Sequence, residues 1–136
     1  HLYTKYIEAL REYRVQVCDS EVIAVHRKVQ TGEAEDITNA DYIRNTANGW
    51  VFRRVSQYPR DCATQATAAI KAAGLDFGVV DILWQSDRPA SCQLQEGAGK
   101  AYVLEANTAP GIDTMTWTCE QYAAALKKLA ANKVSQ

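Results

Sequence analysis

Two runs of alternating residues, "EYRVQVC" and "EVIAVHRKV", meet at Asp19-Ser20, and no other stretch constrains the chain as strongly. β-Branched residues at every second position read as strands, and the polar pair between them reads as a tight hairpin turn. A two-residue turn there sets Val17 opposite Val22 and Arg14 opposite Val25. Period two then gathers Val15, Val17, Val22 and Ala24 on one face and sends Arg14, Gln16 and Arg27 to the other. One face is core; the other carries guanidinium groups.

The hairpin implies more sheet downstream. "WVFRRV" reads as a third strand, with Arg53 and Arg54 on alternate faces, and "DFGVVDILWQ" as a fourth, apolar except for Asp81. "YVLEAN" is a fifth. Between the third and fourth, a helix is expected over 61–73, with Asp61 as N-cap, an alanine-rich body and Gly74 just past its end. A last helix is expected over "TCEQYAAALKKLAANK", with Thr118 and Gln121 at capping-box spacing and a buried stripe of Tyr122, Ala125, Leu126 and Leu129. Residues 30–49 are polar and without period, a loop of a length that often serves function. The order hairpin, loop, strand, helix, hairpin, helix implies an α+β fold, an antiparallel β-sheet with helices packed on one face.

A length of 136 residues suits a single domain, and 47% hydrophobic with 23% charged residues is a globular balance. The net charge of −1 gives no general attraction to nucleic acid or to an anionic membrane, although nine of the 15 Lys/Arg fall before residue 61. No apolar run approaches the ~20 residues of a membrane span, and no leader peptide is expected. The four cysteines lack the spacing of a zinc site; two disulfides are arithmetically open to them, but a chain large enough to build its own core favours free thiols in a reducing, cytoplasmic compartment. The opening "HLYTKYIEAL" reads as the inside of a strand or hinge, so the chain is expected to be a fragment.

Within the fifth strand, "YVLEANTAPG" sets Glu105 and Asn107 two residues apart, hence on one face. If the fourth and fifth strands pair with odd residues opposite odd, Asp81 joins them, facing Glu105 or diagonal to it. Two carboxylates that close call for a positive charge between them. Oxygen donors without His or Cys favour a hard cation, Mg²⁺ above all, and Mg²⁺ commonly bridges to phosphates, which implies a nucleoside triphosphate. Spacing alone leaves open the plainer alternative, in which Asp81 caps a strand end and Glu105 faces solvent. It also leaves Arg14 a choice between a ligand role and a surface pair with Glu12 or Glu21. Asn45 has a choice between a site role and closing a turn.

With those residues in place, "GLDFGVVDILW" followed by "YVLEANTAPGI" resembles the metal-binding signature of ATP-grasp ligases, closest in pattern to the ribosomal-protein glutamate ligases and the carrier-protein ligases of lysine biosynthesis. D-alanine–D-alanine ligases are more distant, and the general flavour is similar to phage-encoded ATP-grasp proteins. The resemblance covers nearly the whole chain and implies a single C-terminal lobe over 1–136, with a hinge strand over 1–11 and an active-site loop over 30–49. It implies ATP and Mg²⁺ as cofactors, with Mn²⁺ as a substitute, and Asp81, Glu105 and Asn107 as metal ligands. Lys5, Tyr6 and Ile7 of "YTKYI" would face adenine. Arg14, Arg27, Lys28 and Asn45 would be catalytic: three cations on the transferred phosphoryl group, and an amide that orients the acceptor. The implied activity is an ATP-dependent carboxylate–amine ligase working through an acyl phosphate. Its partners would be a small-molecule or peptide carboxylate, an amine and the N-terminal lobe that this stretch lacks, so the fragment alone is expected to be inactive. The alternative is a non-catalytic nucleotide-binding or scaffold module on the same fold.

Overall fold

The computed structural model describes residues 3–31, 43–108 and 116–135. Five strands build one sheet: β1 (Arg11–Cys18), β2 (Glu21–Gln30), β3 (Trp50–Arg54), β4 (Phe77–Gln85) and β5 (Lys100–Asn107). Their order is β3-β2-β1-β4-β5, with every neighbouring pair antiparallel. Helix α1 (Arg60–Ala72) links β3 to β4, and helix α2 (Thr116–Val134) follows β5. This is the α+β architecture the sequence implied.

The hairpin turn forms at Asp19 and Ser20, both with positive φ (50° and 64°), the backbone of a type I′ turn that suits the twist of paired strands. Val17 faces Val22 as expected. The register then slips between Gln16 and Val17, so Gln16 pairs with Ala24 and Arg14 pairs with His26, not with Val25. Ile23 is the extra residue of a β-bulge. One extra residue turns every later side chain of β2 over. Val25 therefore joins the core and Ala24 leaves it, while Arg27, opposite Tyr13, goes to the core side.

α1 covers the face that carries Tyr13, Val15 and Val17 of β1, Val25 of β2, and Val80, Ile82 and Trp84 of β4, contributing Cys62, Ala66 and Ile70. The helix begins one residue earlier than expected and uses Pro59 as N-cap. Asp61 does not cap it; its carboxylate accepts the N–H groups of Gly97 (2.7 Å) and Gly99 (3.1 Å) and pins the β4–β5 loop. At the other end Gly74 (φ +68°) closes a Schellman motif, with Gly74 N–H on Lys71 O and Leu75 N–H on Ile70 O.

α2 lies on the opposite face. Its Trp117 ring is 3.7 Å from the guanidinium of Arg54, which pairs with His26 on the side away from α1. The expectation of helices on a single face is thus corrected to one helix on each side. The reason is that Gln16, Cys18 and Ala24 form a second, smaller buried patch that needs its own cover. α2 is less buried than its expected stripe implies. Tyr122 and Thr118 are buried, Ala125 and Leu129 are half-buried, and Leu126 is exposed. Thr118 lies inside the helix rather than capping it. Polar contacts hold the far end of α2 to the hairpin, Lys128 to Glu21 (2.7 Å) and Asn132 to Asp19 (3.1 Å), and to the start of β4, Lys133 to Asp76. No helix among the described residues is long and apolar enough to cross a membrane.

Candidate functional site

The register lines up one ionisable residue from each strand. Arg54 pairs with His26, His26 with Arg14, Arg14 with Asp81 and Asp81 with Glu105, a row that crosses all five strands. Cross-strand partners project to the same side, so the row lies on the face away from α1. α2 covers its Arg54 end. A second bulge, between Asp81 and Ile82, leaves Leu104 as the extra residue of β5. Glu105 and Asn107 stay on Asp81's side, while Val103, which unbroken period two would set beside them, falls opposite Ile82 of the core.

Arg14 and Asp81 form the centre of the row. The guanidinium donates from Nε to one carboxylate oxygen and from Nη2 to the other, both at 2.8 Å, a bidentate pair with side chains 29% and 13% exposed. Its hydrogen bond to Asp81 first, and then the negative charges of Asp81, Glu105 and Glu12, hold the Arg14 pKa above its ordinary value, against the opposing pull of burial. The Phe52 ring centroid lies 4.2 Å from the Arg14 guanidinium and 5.0 Å from the Lys28 ammonium. Lys28 donates to Glu12 at 2.7 Å, and Glu12 is itself nearly buried. The sequence offered Glu12 or Glu21 as partners for Arg14; these two acids are instead taken by Lys28 and Lys128.

Residues 4–9 pass along the same face without regular secondary structure and border a cleft of about 290 Å³. Lys5, Tyr6 and Ile7 line one side, and Glu12, Lys28 and Leu83 line the other. Arg44 braces this passage, donating to Ala9 O at 3.1 Å and lying 5.0 Å from the Trp50 ring. A larger cleft of about 480 Å³ lies at the β4–β5 loop, between residues 85–88 and 97–100, and is lined by none of the expected site residues.

The structure therefore brings Arg14, Lys28, Asp81, Glu105 and Asn107 to one face, with Lys5, Tyr6 and Ile7 beside it. It does not bring Arg27, which the first bulge carries to the α1 side with its Nε buried and without a partner among the described residues. Asn45 closes a turn: its Oδ1 accepts the Asn48 N–H at 2.9 Å, and its backbone oxygen accepts from Asn48 and Trp50. The expected loop over 30–49 lies in part outside the described residues. Sequence reasoning missed Phe52 and Arg44. Phe52 was open to detection, because period two in "WVFRRV" sets Trp50, Phe52 and Arg54 on one face. Arg44 left no pattern, since its partner is a backbone oxygen 35 residues away.

Among the described residues no three of His, Cys, Asp and Glu cluster tightly enough to hold a metal by themselves. Two carboxylates and an amide are a thinner set. They suit a hard cation that keeps its waters and shares phosphate oxygens, and they do not suit a fully caged ion. The guanidinium already held by both Asp81 oxygens marks the spot as one that binds positive charge.

No protein-family model and no curated protein sequence matches the chain. Solved structures do. D-alanine–D-alanine ligase from Bacillus anthracis superposes with a TM-score of 0.56 at 21% identity, over 88% of this chain and 36% of that one. The same enzyme complexed with ATP gives 0.55 at 18%, over 89% and 34%. ATP-grasp ligase PsnB, complexed with precursor peptide PsnA2 and AMPPNP, gives 0.50 at 17%, over 87% and 32%. The fold is that of ATP-grasp ligases. The likeness takes in nearly nine-tenths of this chain and about a third of the length of those enzymes.

Proposed function

We propose that the chain is the ATP- and Mg²⁺-binding lobe of an ATP-dependent carboxylate–amine ligase. The observation that carries this reading is the register of β4 on β5, which sets Asp81 directly opposite Glu105 with Asn107 one pleat further on. Asp81, Glu105 and Asn107 would hold Mg²⁺, or Mn²⁺ in its place, leaving its other positions to water and phosphate oxygens. Such an ion, when bound, supplies charge neutralisation on the β- and γ-phosphates.

This chain's own residues would do the rest. Arg14 and Lys28 offset the charge that develops on the transferred phosphoryl group, the term that dominates in phosphoryl transfer. Residues 5–7 offer backbone to the adenine across the cleft they border. Asn45 would orient an acceptor carboxylate through the N–H groups of Nδ2, with its Oδ1 held by the Asn48 N–H. Arg27, on the far face, drops out of the phosphate set. In the parent reaction a substrate carboxylate takes the γ-phosphoryl group and ADP leaves. An amine then attacks the acyl phosphate, inorganic phosphate departs, and an amide bond forms.

At about 290 Å³ the cleft falls just short of the ~300–1,000 Å³ of a small-molecule site, as suits one wall of a site that a second lobe completes. The 136 residues alone are therefore expected to bind Mg·ATP weakly and to turn over negligibly. Titration with Mg·ATP, followed by tryptophan fluorescence, tests the reading. Trp50, held by Arg44 at the cleft edge, is the reporter. The signal should change only with metal and nucleotide together. No change at millimolar Mg·ATP would favour a scaffold module instead.

A further inference from the structure

We infer that Arg14 is a resident counter-ion that keeps divalent metal off Asp81 until a nucleotide arrives to exchange for it. The inference rests on the nucleotide-binding reading above and adds an order of events to it. Both oxygens of Asp81 are engaged by one guanidinium at 2.8 Å, in the fork geometry that Arg uses for carboxylates and phosphates alike. A divalent ion at the same carboxylate would stand within a few ångströms of a fixed positive charge, with Glu105 as the nearest compensation.

Triphosphate changes the balance, because it offers Arg14 a second oxyanion of matching geometry while carrying the cation in. The Phe52 ring, 4.2 Å from the guanidinium, gives Arg14 an apolar platform that does not depend on Asp81. Among the described residues Arg14 is the cation that Asp81 holds; the neighbouring Lys28 is occupied by Glu12 at 2.7 Å. The prediction is unusual in sign: removing a positive residue from the site should weaken nucleotide binding and strengthen binding of the bare metal.

Mn²⁺ titration of the 136-residue chain, read by the electron paramagnetic resonance of free Mn²⁺, decides it. Without nucleotide, Arg14→Gln should bind Mn²⁺ at least about tenfold more tightly than wild type, and Asp81→Asn in that background should abolish the gain. Arg14→Lys, which keeps the charge but loses the fork, should fall between the two. Its circular dichroism spectrum and that of Arg14→Gln guard against unfolding, and Arg14→Lys carries the test if Arg14→Gln does not fold. Equal Mn²⁺ affinity in wild type and both variants overturns the inference, as does a gain that survives Asp81→Asn. Failure of wild type to bind Mn·ATP is a separate result and counts against the nucleotide reading itself.

Discussion

Asp81→Asn separates the structural share of the central ion pair from its proposed role with ligand. The substitution keeps the side chain's shape, removes its charge and turns one of the two acceptors toward Arg14 into a donor. Hydrogen bonds to charged groups contribute up to roughly 1.5–3 kcal/mol, and exposed ion pairs about 0–1 kcal/mol. With Arg14 29% and Asp81 13% exposed, the pair belongs between these limits. Glu105, directly across the strand, remains as a substitute counter-charge and spares the protein the heavier loss of a stranded buried ion. A cost of about 1–2 kcal/mol follows. For a domain of this size each kcal/mol is worth roughly 4 °C, so the melting temperature should fall by about 4–8 °C. Mg·ATP at 100 times its Kd would add ~2.7 kcal/mol to wild type, an upward shift of about 10 °C, and nothing to the variant. Calorimetry with and without Mg·ATP measures both. The exposed Lys128–Glu21 pair serves as control, and Glu21→Gln should leave melting unchanged. If Asp81→Asn melts with wild type, the pair has no structural weight. If nucleotide raises both melting temperatures equally, Asp81 holds no metal.

Two further predictions concern the scaffold. At Gly99 an added Cβ would collide with the backbone oxygen of Gln85 and lie 2.7 Å from the Trp84 ring, so Gly99→Ala should cost ~1–3 kcal/mol by urea unfolding, and an unchanged midpoint would refute the packing. Burial first, and the charge of Asp61 second, push the Cys62 thiol from its ordinary 9.0 up to about 12. Native protein keeps that proton where unfolded chain releases it, so the contribution is intact below pH 9 and is lost as pH rises towards 12, at up to about 1.4 kcal/mol per pH unit. Between pH 9 and 10, Cys62→Ala should show a shallower fall in urea-unfolding stability than wild type, and equal slopes would contradict the burial.

The elements were legible because each carries a local signal. Alternation gave the strands, Asp19-Ser20 the turn, and Gly74 the helix end, and all three can be read from neighbours in the chain. The sheet's central pairing was not legible. β1 meets β4 across roughly 60 intervening residues, with β2, β3 and α1 in between, and no property of "EYRVQVC" alone selects "FGVVDILWQ" as its second neighbour. Pairing Arg14 with Asp81 depends on that contact, so the sequence offered Arg14 only the acids near it. Asp61 was misread for a related reason. A carboxylate at the start of a helix is ordinarily a cap, and its true partners are two glycine N–H groups 36 and 38 residues on.

The two bulges decide which charges meet. Were Ile23 paired in regular alternation, the hairpin would put Val25 beside Arg14, and Arg27 on the site face. With Ile23 bulged out, His26 and Lys28 take that face, and Arg27 goes half-buried to the other. Were Leu104 paired in regular alternation, Val103 would sit on the carboxylate side; bulged out, it returns Val103 to the core side while Glu105 and Asn107 remain opposite Asp81 and Val79. A period-two reading is correct on either side of such a residue and wrong across it, since one insertion exchanges the faces of everything beyond. The motif in β5 survived because Glu105 and Asn107 lie on the same side of the bulge. The basic set in β2 did not survive, because Arg27 was read in phase with Arg14 across Ile23. Deleting Ile23 should therefore straighten the hairpin and leave Lys28, not Arg27, beside Phe52, because Val22 and Ala24 already pair with consecutive residues of β1; it is the presence of one unpaired residue in the sequence count that sets Arg27 out of phase with Arg14.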